Sequence, residues 1–591
     1  MSNPKFHNPV TTLAERIAQM SPDQRTLLQR KLSEKHVLGL DLVAHSLREC
    51  GITHIYGVSG RPSDGILPAC YNHNIRPIGV YHQTAAVYMA TAQNYQVGRL
   101  VAATLVSAGP AVTNTITGLL VAHDNGWPVI LLGGRLSSFQ KCDALPMIRQ
   151  VVKHAVDVPS TGSIRQCIHE ACRIAMSGRP GPVYVELHED VLIGSTVVDP
   201  ICNVEGNTLA RPEPFVSEVE LERIGDALVS AQRPALLLGK GVRWTVVPAQ
   251  LQELIELLGL PFITSPMGRG FIPEDHPLCF NQARTVLQSQ ADVVLVLGAR
   301  LNWMFRHGTE LSRSAHVFRV DIECDEEDDA AIHTEFIHAD AGDLVARLLA
   351  VMKKQRGEFA DVLRQRQVDD WHSTLRTTST ETEHWLDQQM NHDGRPMSPY
   401  RMMKEIRDAL PRDAICITEG NVSMMAAQSV IPGFLPASRM DAGTNGCMGV
   451  SIPFAIGAKV AWPERPVVAI TGDFGFSLSA MEMEVCVRHT IPIVVVVANN
   501  QGCLGATKQK AYFPSADAER VIMFQPGLEY DRIMKVFGGQ GTTLTDPEQL
   551  KPALAQAISA NTPCCINVVI DPDTPVPNAW GQQSSDGGTR E

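Results

Sequence analysis

Asp473 and Asn500 stand 27 positions apart, and each follows an apolar run. The first run, PVVAIT (466–471), ends in Gly472-Asp473-Phe474-Gly475. The second, IPIVVVVA (491–498), ends in Asn499-Asn500-Gln501-Gly502. A helical stretch, Leu478 to His489, separates them. Two strands joined by one crossover helix lie side by side in a parallel sheet. Their carboxyl-end loops therefore meet where open α/β sheets bind ligands. Asp473 offers a carboxylate, Asn500 an amide oxygen and Gly502 a backbone carbonyl. Mg²⁺ takes hard oxygens of this kind and fills its remaining positions with phosphate oxygens and water. Gly472 and Gly475, on either side of Asp473 and Phe474, let the backbone approach a phosphate. The helix that follows presents free N–H groups. The chemistry implied is the holding of a diphosphate through a magnesium ion.

The elements that must position these loops are legible along most of the chain. From Leu38 onward helices and strands alternate: helix 40–50, THIYGV, the turn SGRPSD, LVAATLVS, the turn AGPA, a helix from Val112, PVILLGG, and a late strand in PGPVYVELHEDV (180–191). A second block spans 217–350, with strands at 235–239, 292–298 and 316–321. A third starts at Ser398, with strands at 414–418, 466–471, 491–498 and 565–570. Strands this apolar on both faces belong to parallel sheets covered by helices. The expected fold is α/β, with three doubly wound parallel-sheet domains at 37–205, 206–375 and 376–591. Residues 1–36 read as a helical appendage: Ser21 caps, Pro22 takes the first helical position, and Leu27, Leu28 and Leu32 recur at helical spacing. That helix either packs on the body or docks on a larger partner such as an assembly-line synthase. The stretch 198–216 reads as a linker, 352–395 as a polar, partly helical connector, and the tail from Asp571 as extended.

A chain of 591 residues is too long for one core and calls for about three to four domains. The net charge of −12 disfavours nucleic acid and anionic membrane as partners, but not an anionic small substrate. Fourteen cysteines follow no repeated spacing and offer no CxxC pair. Cys416, Cys447, Cys486, Cys503, Cys564 and Cys565 sit among apolar residues, as small hydrophobes in a reducing compartment do. The N-terminus has no signal-like apolar core, and no apolar run approaches about 20 residues. The expected setting is cytoplasmic.

With the GD and NN loops in place, the chain resembles the thiamine-diphosphate enzyme family that holds acetolactate synthase, oxalyl-CoA decarboxylase, 2-hydroxyacyl-CoA lyase and glyoxylate carboligase. The resemblance covers nearly the whole chain. YGVSG (56–60), SAGPAVTN (107–114), Phe139-Gln140, Lys153 and PGPVYVEL (180–187) fall in family order. GARLNW (298–303) and HVFRVD fit the family's middle domain. FSLSAMEMEVCVRHTIP (476–492) looks closer to oxalyl-CoA decarboxylase than to acetolactate synthase. TNGCMGVSIPFAIGAKVA (444–461) is similar to the segment that carries the pyrimidine ring. The resemblance makes Met448 the apolar wedge under the bent cofactor and gives the Gly446 carbonyl to the 4′-amino group. In TEGNVS (418–423) it makes Asn421 and Ser423 donors to the diphosphate.

Family members place one Glu beside N1′ of the pyrimidine, where it drives the 4′-amino group toward its imino form. Here that segment reads Val80-Tyr81-His82-Gln83-Thr84-Ala85-Ala86-Val87-Tyr88-Met89-Ala90. Met89-Ala90 and Gly98 fall at the family offsets only when Gln83 takes the Glu position. A neutral amide hydrogen-bonds the ring with about 1 kcal/mol, against about 1.5–3 for a charge-assisted bond. Three readings stand: an enzyme with altered proton handling, a cofactor-binding protein whose chemistry has decayed, and an introduced Glu→Gln change.

By the same resemblance His82, His123 and His154 lie near the cofactor as candidate proton relays, and Gln140 as a substrate contact. Arg61 is a candidate for a substrate carboxylate, or an ordinary surface arginine. Glu482 and Glu484 read as helix-positioned partners rather than acids. The middle domain is open to FAD, ADP or nothing, with Asp321 and Gly239-Lys240-Gly241 as the contacts. The family's assembly implies a homodimer or a dimer of dimers, with Gln83 and Asp473 serving one cofactor from two chains. The expected activity is that of a carboligase or decarboxylase acting on a 2-oxo acid or related carbonyl. The alternative is a catalytically degenerate, cofactor-binding partner of a biosynthetic assembly line.

Overall fold

The computed structural model describes residues 20–22, 24–25, 36–197, 214–323, 331–368, 370–503 and 520–574. Three parallel sheets follow one another along the chain. The first domain opens with β1 (His36–Leu38), which closes antiparallel on β8 (Ser195–Val197). Between them run β2 (His54–Gly57), β3 (Arg76–Gly79), β4 (Ala102–Val106), β5 (Val129–Arg135), β6 (His154–Asp157) and β7 (Pro182–His188). Their order is β3-β2-β4-β5-β7-β6, all parallel. Helix α1 (Gln83–Val97) follows β3, and α2 (Ile116–Asn125) follows β4.

The middle domain holds β9 (Pro234–Leu238), β10 (Phe262–Thr264), β11 (Val293–Leu297), β12 (His316–Asp321) and β13 (Glu335–His338), in the order β10-β9-β11-β12-β13. Two long helices, Ala341–Val368 and Asp370–Met390, lead onward where a partly helical connector was expected. The third domain has β14 (Ile415–Thr418), β15 (Arg439–Asp441), β16 (Val467–Gly472), β17 (Val494–Asn499), β18 (Gln540–Leu544) and β19 (Cys564–Val569), in the order β15-β14-β16-β17-β19-β18. Its helices include α3 (Asn421–Val430), α4 (Ser451–Ala461), α5 (Asp473–Ser479) and α6 (Met483–Arg488). The crossover between β16 and β17 begins at Asp473, not at Leu478, and a tight turn at Ala480–Glu482 divides it. Asp473 Oδ1 accepts the Phe474 N–H at 2.8 Å, so the helix starts directly at the strand end.

The first and third domains share one core. Helix α1 is buried without a break from Ala85 to Gln96, which explains why no polar face shows in its sequence. It is covered by its own sheet on one side and by α4 on the other. Tyr88 meets Phe454 edge to face, with ring centroids 5.5 Å apart, a pair worth about 0.5–1.5 kcal/mol beyond its buried area. Gly457 lets the helices close, since a side chain there would collide with the Met89 carbonyl.

At the N-terminus the expected cap is present. Ser21 Oγ accepts the Gln24 N–H at 3.2 Å, and Gln24 Oε1 accepts the Ser21 N–H at 3.0 Å. The leucines of that helix lie outside the described residues, as does most of the linker at 198–213 and the tail from 575. Among the described residues no helix is long and apolar enough to cross a membrane.

Candidate active site

Strands β16 and β17 are neighbours, with Gly472 opposite Ala498, so the loops carrying Asp473 and Asn500 meet as their spacing implied. Asp473 is buried, and its Oδ2 accepts the Gly502 N–H at 3.0 Å. The carboxamide end of Asn500 lies 3.0 Å from the Gly502 carbonyl oxygen and 3.3 Å from Asp473 Oδ1. With its oxygen at that end, Asn500 faces only acceptors. Three oxygens turned on one another without a proton between them fit a bound cation. Burial pushes the Asp473 carboxyl up to about 6. Phe474 is half-exposed and stacks on Phe524 at 6.3 Å. Gly472 opens onto free space, as close approach by a phosphate needs. Gly475 has a different reason to be glycine: the Glu419 carboxylate fills the place of its side chain.

Glu419 is the residue sequence reasoning passed over. It directly follows β14, is fully buried, and accepts the N–H groups of Gly449 and Ser451. Burial pushes its carboxyl up, against the pull of those backbone donors. It therefore ties the 419–423 loop to the turn that follows Met448. Its signal was available: it is the one carboxylate in TEGNVS, at the end of an apolar strand. Asn421 opens α3 and is exposed; Ser423 is buried and its hydroxyl donates to the Glu419 carbonyl. Gly446 is exposed at φ +59, and Met448 is half-buried.

Segment 443–447 is held from two domains. Asn125 Oδ1 accepts the Thr444 N–H at 3.1 Å, Asp124 Oδ2 accepts from Asn445 Nδ2 at 2.5 Å, and Trp303 Nε1 donates to the Thr444 carbonyl at 2.8 Å. Tyr88 Oη lies 3.2 Å from Cys447 Sγ. His123 is exposed and contacts Asp124 at 3.1 Å, one link from Asn445.

Gln83 is the first residue of α1, and its Oε1 accepts from Asn114 Nδ2 at 3.0 Å. Thr84 Oγ1 donates to the Asn114 carbonyl, so Asn114 holds both residues. His82 caps the helix: its Nδ1 accepts the Thr84 N–H at 3.2 Å. Gln140 is exposed at φ +52, with its backbone against Gly109. Among the described residues no hydrogen bond joins Gln83 to residues 446–448 of the same chain. Arg61 forms a surface ion pair with Glu189. Lys153 Nζ donates to the carbonyls of Ile174 at 3.0 Å, Arg179 at 2.7 Å and Ser177, closing the end of a helix. His154 opens β6 and is half-buried.

A cavity lies beside this site, and Asp321, Gly239, Lys240 and Gly241 all line it. Lys240 Nζ donates to Asn125 and reaches Thr444 Oγ1 at 3.3 Å, so its wall adjoins the 443–447 segment. Burial, then the nearby Arg300, pushes the Lys240 ammonium down to about 7.

Three family descriptions match the chain in order. Residues 38–150 match "Thiamine pyrophosphate enzyme, N-terminal TPP binding domain", 221–348 the central domain and 419–568 the C-terminal TPP binding domain. The 2-hydroxyacyl-CoA lyase of Arabidopsis thaliana is 30% identical over 551 residues, covering 90% of this chain and 95% of the relative. Oxalyl-CoA decarboxylase of Escherichia coli (strain K12) is 29% identical over 553 residues, covering 90% and 95%. A probable acetolactate synthase of Mycobacterium bovis is 28% identical over 547 residues, covering 91% and 96%.

Proposed function

The chain belongs to the thiamine pyrophosphate enzyme family, and on that premise we propose that it makes or breaks a carbon–carbon bond next to a carbonyl, using thiamine diphosphate and Mg²⁺. The observation that carries this reading is the convergence of Asp473, Asn500 and Gly502 on one point at the β16–β17 edge. Bound there, thiamine diphosphate supplies a nucleophilic carbon and an electron sink for the substrate carbonyl.

The chain's residues do the rest. Asp473, Asn500 and the Gly502 carbonyl hold the metal, and Gly472 gives the diphosphate room. Phe474 and Asn421 border that loop. Met448 supports the pyrimidine ring and the Gly446 carbonyl accepts from its amino group. Gln83 meets the ring nitrogen with a neutral amide where the family has a carboxylate. His82 and His123 are the proton carriers assigned to that end, and Gln140 the substrate contact. Ser423 serves the loop from within, through its bond to Glu419.

The substrate is a 2-oxo acid or a related carbonyl compound. The acyl-CoA names of two relatives put 2-hydroxyacyl and 2-oxoacyl thioesters in the same test. The working unit is a homodimer or a dimer of dimers in which Gln83 and Asp473 come from different chains. Apolar side chains left exposed near these residues support it: Tyr81 is 51% exposed, Leu478 56% and Met481 52%.

The test is incubation with thiamine diphosphate, Mg²⁺ and a panel of 2-oxo acids and acyl-CoA thioesters, following CO₂, aldehyde and acyloin. Turnover of one class supports the reading. Silence across the panel with tight cofactor binding favours a non-catalytic partner, which the neutral Gln83 also permits. A monomer that turns over would remove the shared-site arrangement.

A further inference from the structure

Glu482 of the third domain reaches across the domain boundary to the backbone just before Gln83. Its Oε1 accepts the His82 N–H at 2.8 Å and its Oε2 the Tyr81 N–H at 3.2 Å. The side chain is buried. It sits in the turn between α5 and α6, on the crossover that begins at Asp473. Tyr81 and His82 precede α1, where backbone N–H groups have no partner within the helix. His82 is the cap of that helix and Gln83 its first residue. A buried carboxylate taking two consecutive N–H groups fixes the path of the chain there, and Asn114 fixes the Gln83 side chain from the other side.

We propose that Glu482 is a positioning residue: it clamps the 81–83 turn and so sets the place from which Gln83 acts. This rests on the reading of Gln83 given above. Glu482 touches no reacting atom in that reading; it works through the turn. The carboxylate and the loop that carries Asp473 share one crossover, so within each chain the clamp links the metal loop of one site to the Gln83 turn that serves the other site of the dimer. The titratable groups facing Glu482 are Tyr81 and His82 across the boundary and Glu484, Cys486 and Arg488 on its own stretch. Glu484 is itself paired with Arg488 at 3.0 Å.

The experiment compares the full chain with Glu482→Gln and Glu482→Asp. The first readout needs no cofactor: hydrogen–deuterium exchange of peptides covering residues 80–84. Both variants are expected to raise exchange there about tenfold, with little change elsewhere. The second readout, with thiamine diphosphate and Mg²⁺ present, is kcat, KM and their pH profile. Glu482→Gln is expected to lower kcat about tenfold with KM nearly unchanged, and to flatten the profile near neutral pH. Unchanged exchange at 80–84 in a folded variant overturns the clamp. So does a loss spread evenly over exchange, KM and kcat. Should Glu482→Gln not fold, Glu482→Asp, which keeps the charge but retracts it, carries the same comparison. A parent protein that turns over nothing counts against the proposed function, while the exchange result still decides the clamp.

Discussion

Glu419 and Ser451 are 32 positions apart in sequence, yet the Ser451 N–H donates to Glu419 Oε2 at 2.7 Å. With the parallel bond from Gly449, this makes the 419–423 loop and the start of α4 one unit. Met448, between them and the open side, inherits its position from that carboxylate.

Glu419→Ala would leave two buried N–H groups without an acceptor. Each costs about 1–3 kcal/mol, so thermal unfolding should shift clearly downward, with cofactor affinity falling alongside. Glu419→Gln keeps an oxygen for one of the two and should lose roughly half as much. Scanning calorimetry with and without thiamine diphosphate and Mg²⁺ checks both. Equal stability of Glu419→Ala and parent would contradict the arrangement.

What could be read from the sequence divides along a physical line. All eleven strands expected from apolar runs are present, and they lie inside their sheets: β2, β4, β5 and β7; β9, β11 and β12; β14, β16, β17 and β19. Eight went unread among the described residues: β3, β6, β10, β13, β15 and β18, which are the edges of those sheets, and β1 and β8, which pair in a small sheet of their own. A central parallel strand is covered on both faces and needs an unbroken apolar run. Edge strands such as His154–Asp157 and Gln540–Leu544 are short and part-exposed, so their residues carry no such pattern. The site divides in the same way. The convergence of Asp473, Asn500 and Gly502 was legible because they lie in the loops that directly follow two neighbouring strands. Glu419 and Asn114 were not, because their importance lies in contacts with residues distant in sequence.

The three-oxygen cluster gives a metal prediction. Asp473→Asn replaces the anionic ligand by a neutral one. Affinity for thiamine diphosphate in Mg²⁺ should fall at least about 100-fold, beyond the range seen for residues one shell further out. Titration calorimetry measures it. In the parent, chelation of Mg²⁺ should abolish the thermal stabilisation that the cofactor confers. Retention of full affinity by the variant would place the metal elsewhere.

Burial pushes the Glu482 carboxyl up to about 7, from an ordinary value near 4.5. Between those two values the native chain keeps a proton that the unfolded chain has lost. Stability from this group is therefore complete below about 4.5 and is lost as pH rises through about 7, by at most about 3 kcal/mol. Glu482→Gln does not titrate. Measured against the parent at pH 5, 6, 7 and 8, its unfolding free energy should move in the variant's favour as pH rises. A difference that stays constant across the series would rule out this titration.

Asn114 Nδ2 donates to Gln83 Oε1, which leaves the Gln83 amide NH2 as its outward end. A glutamate at 83 would give one oxygen to Asn114 and turn the other, charged, outward. The substitution Gln83→Glu thus changes the outward group from a neutral donor to an anionic acceptor, with little change in shape. Proton exchange at the C2 position of bound thiamine diphosphate, followed by NMR after quenching, should rise about tenfold or more, since about 1.4 kcal/mol separates the two kinds of hydrogen bond. Product formation should not rise with it. The intact cluster of Asp473, Asn500 and Gly502 oxygens and the two-sided hold on the turn before α1 argue that a neutral group is being kept in place, and a neutral group suits a step after the cofactor is activated. Faster exchange with slower or altered product is the expected pair of results. A parallel gain in both would mean that Gln83 only impairs an ordinary family enzyme.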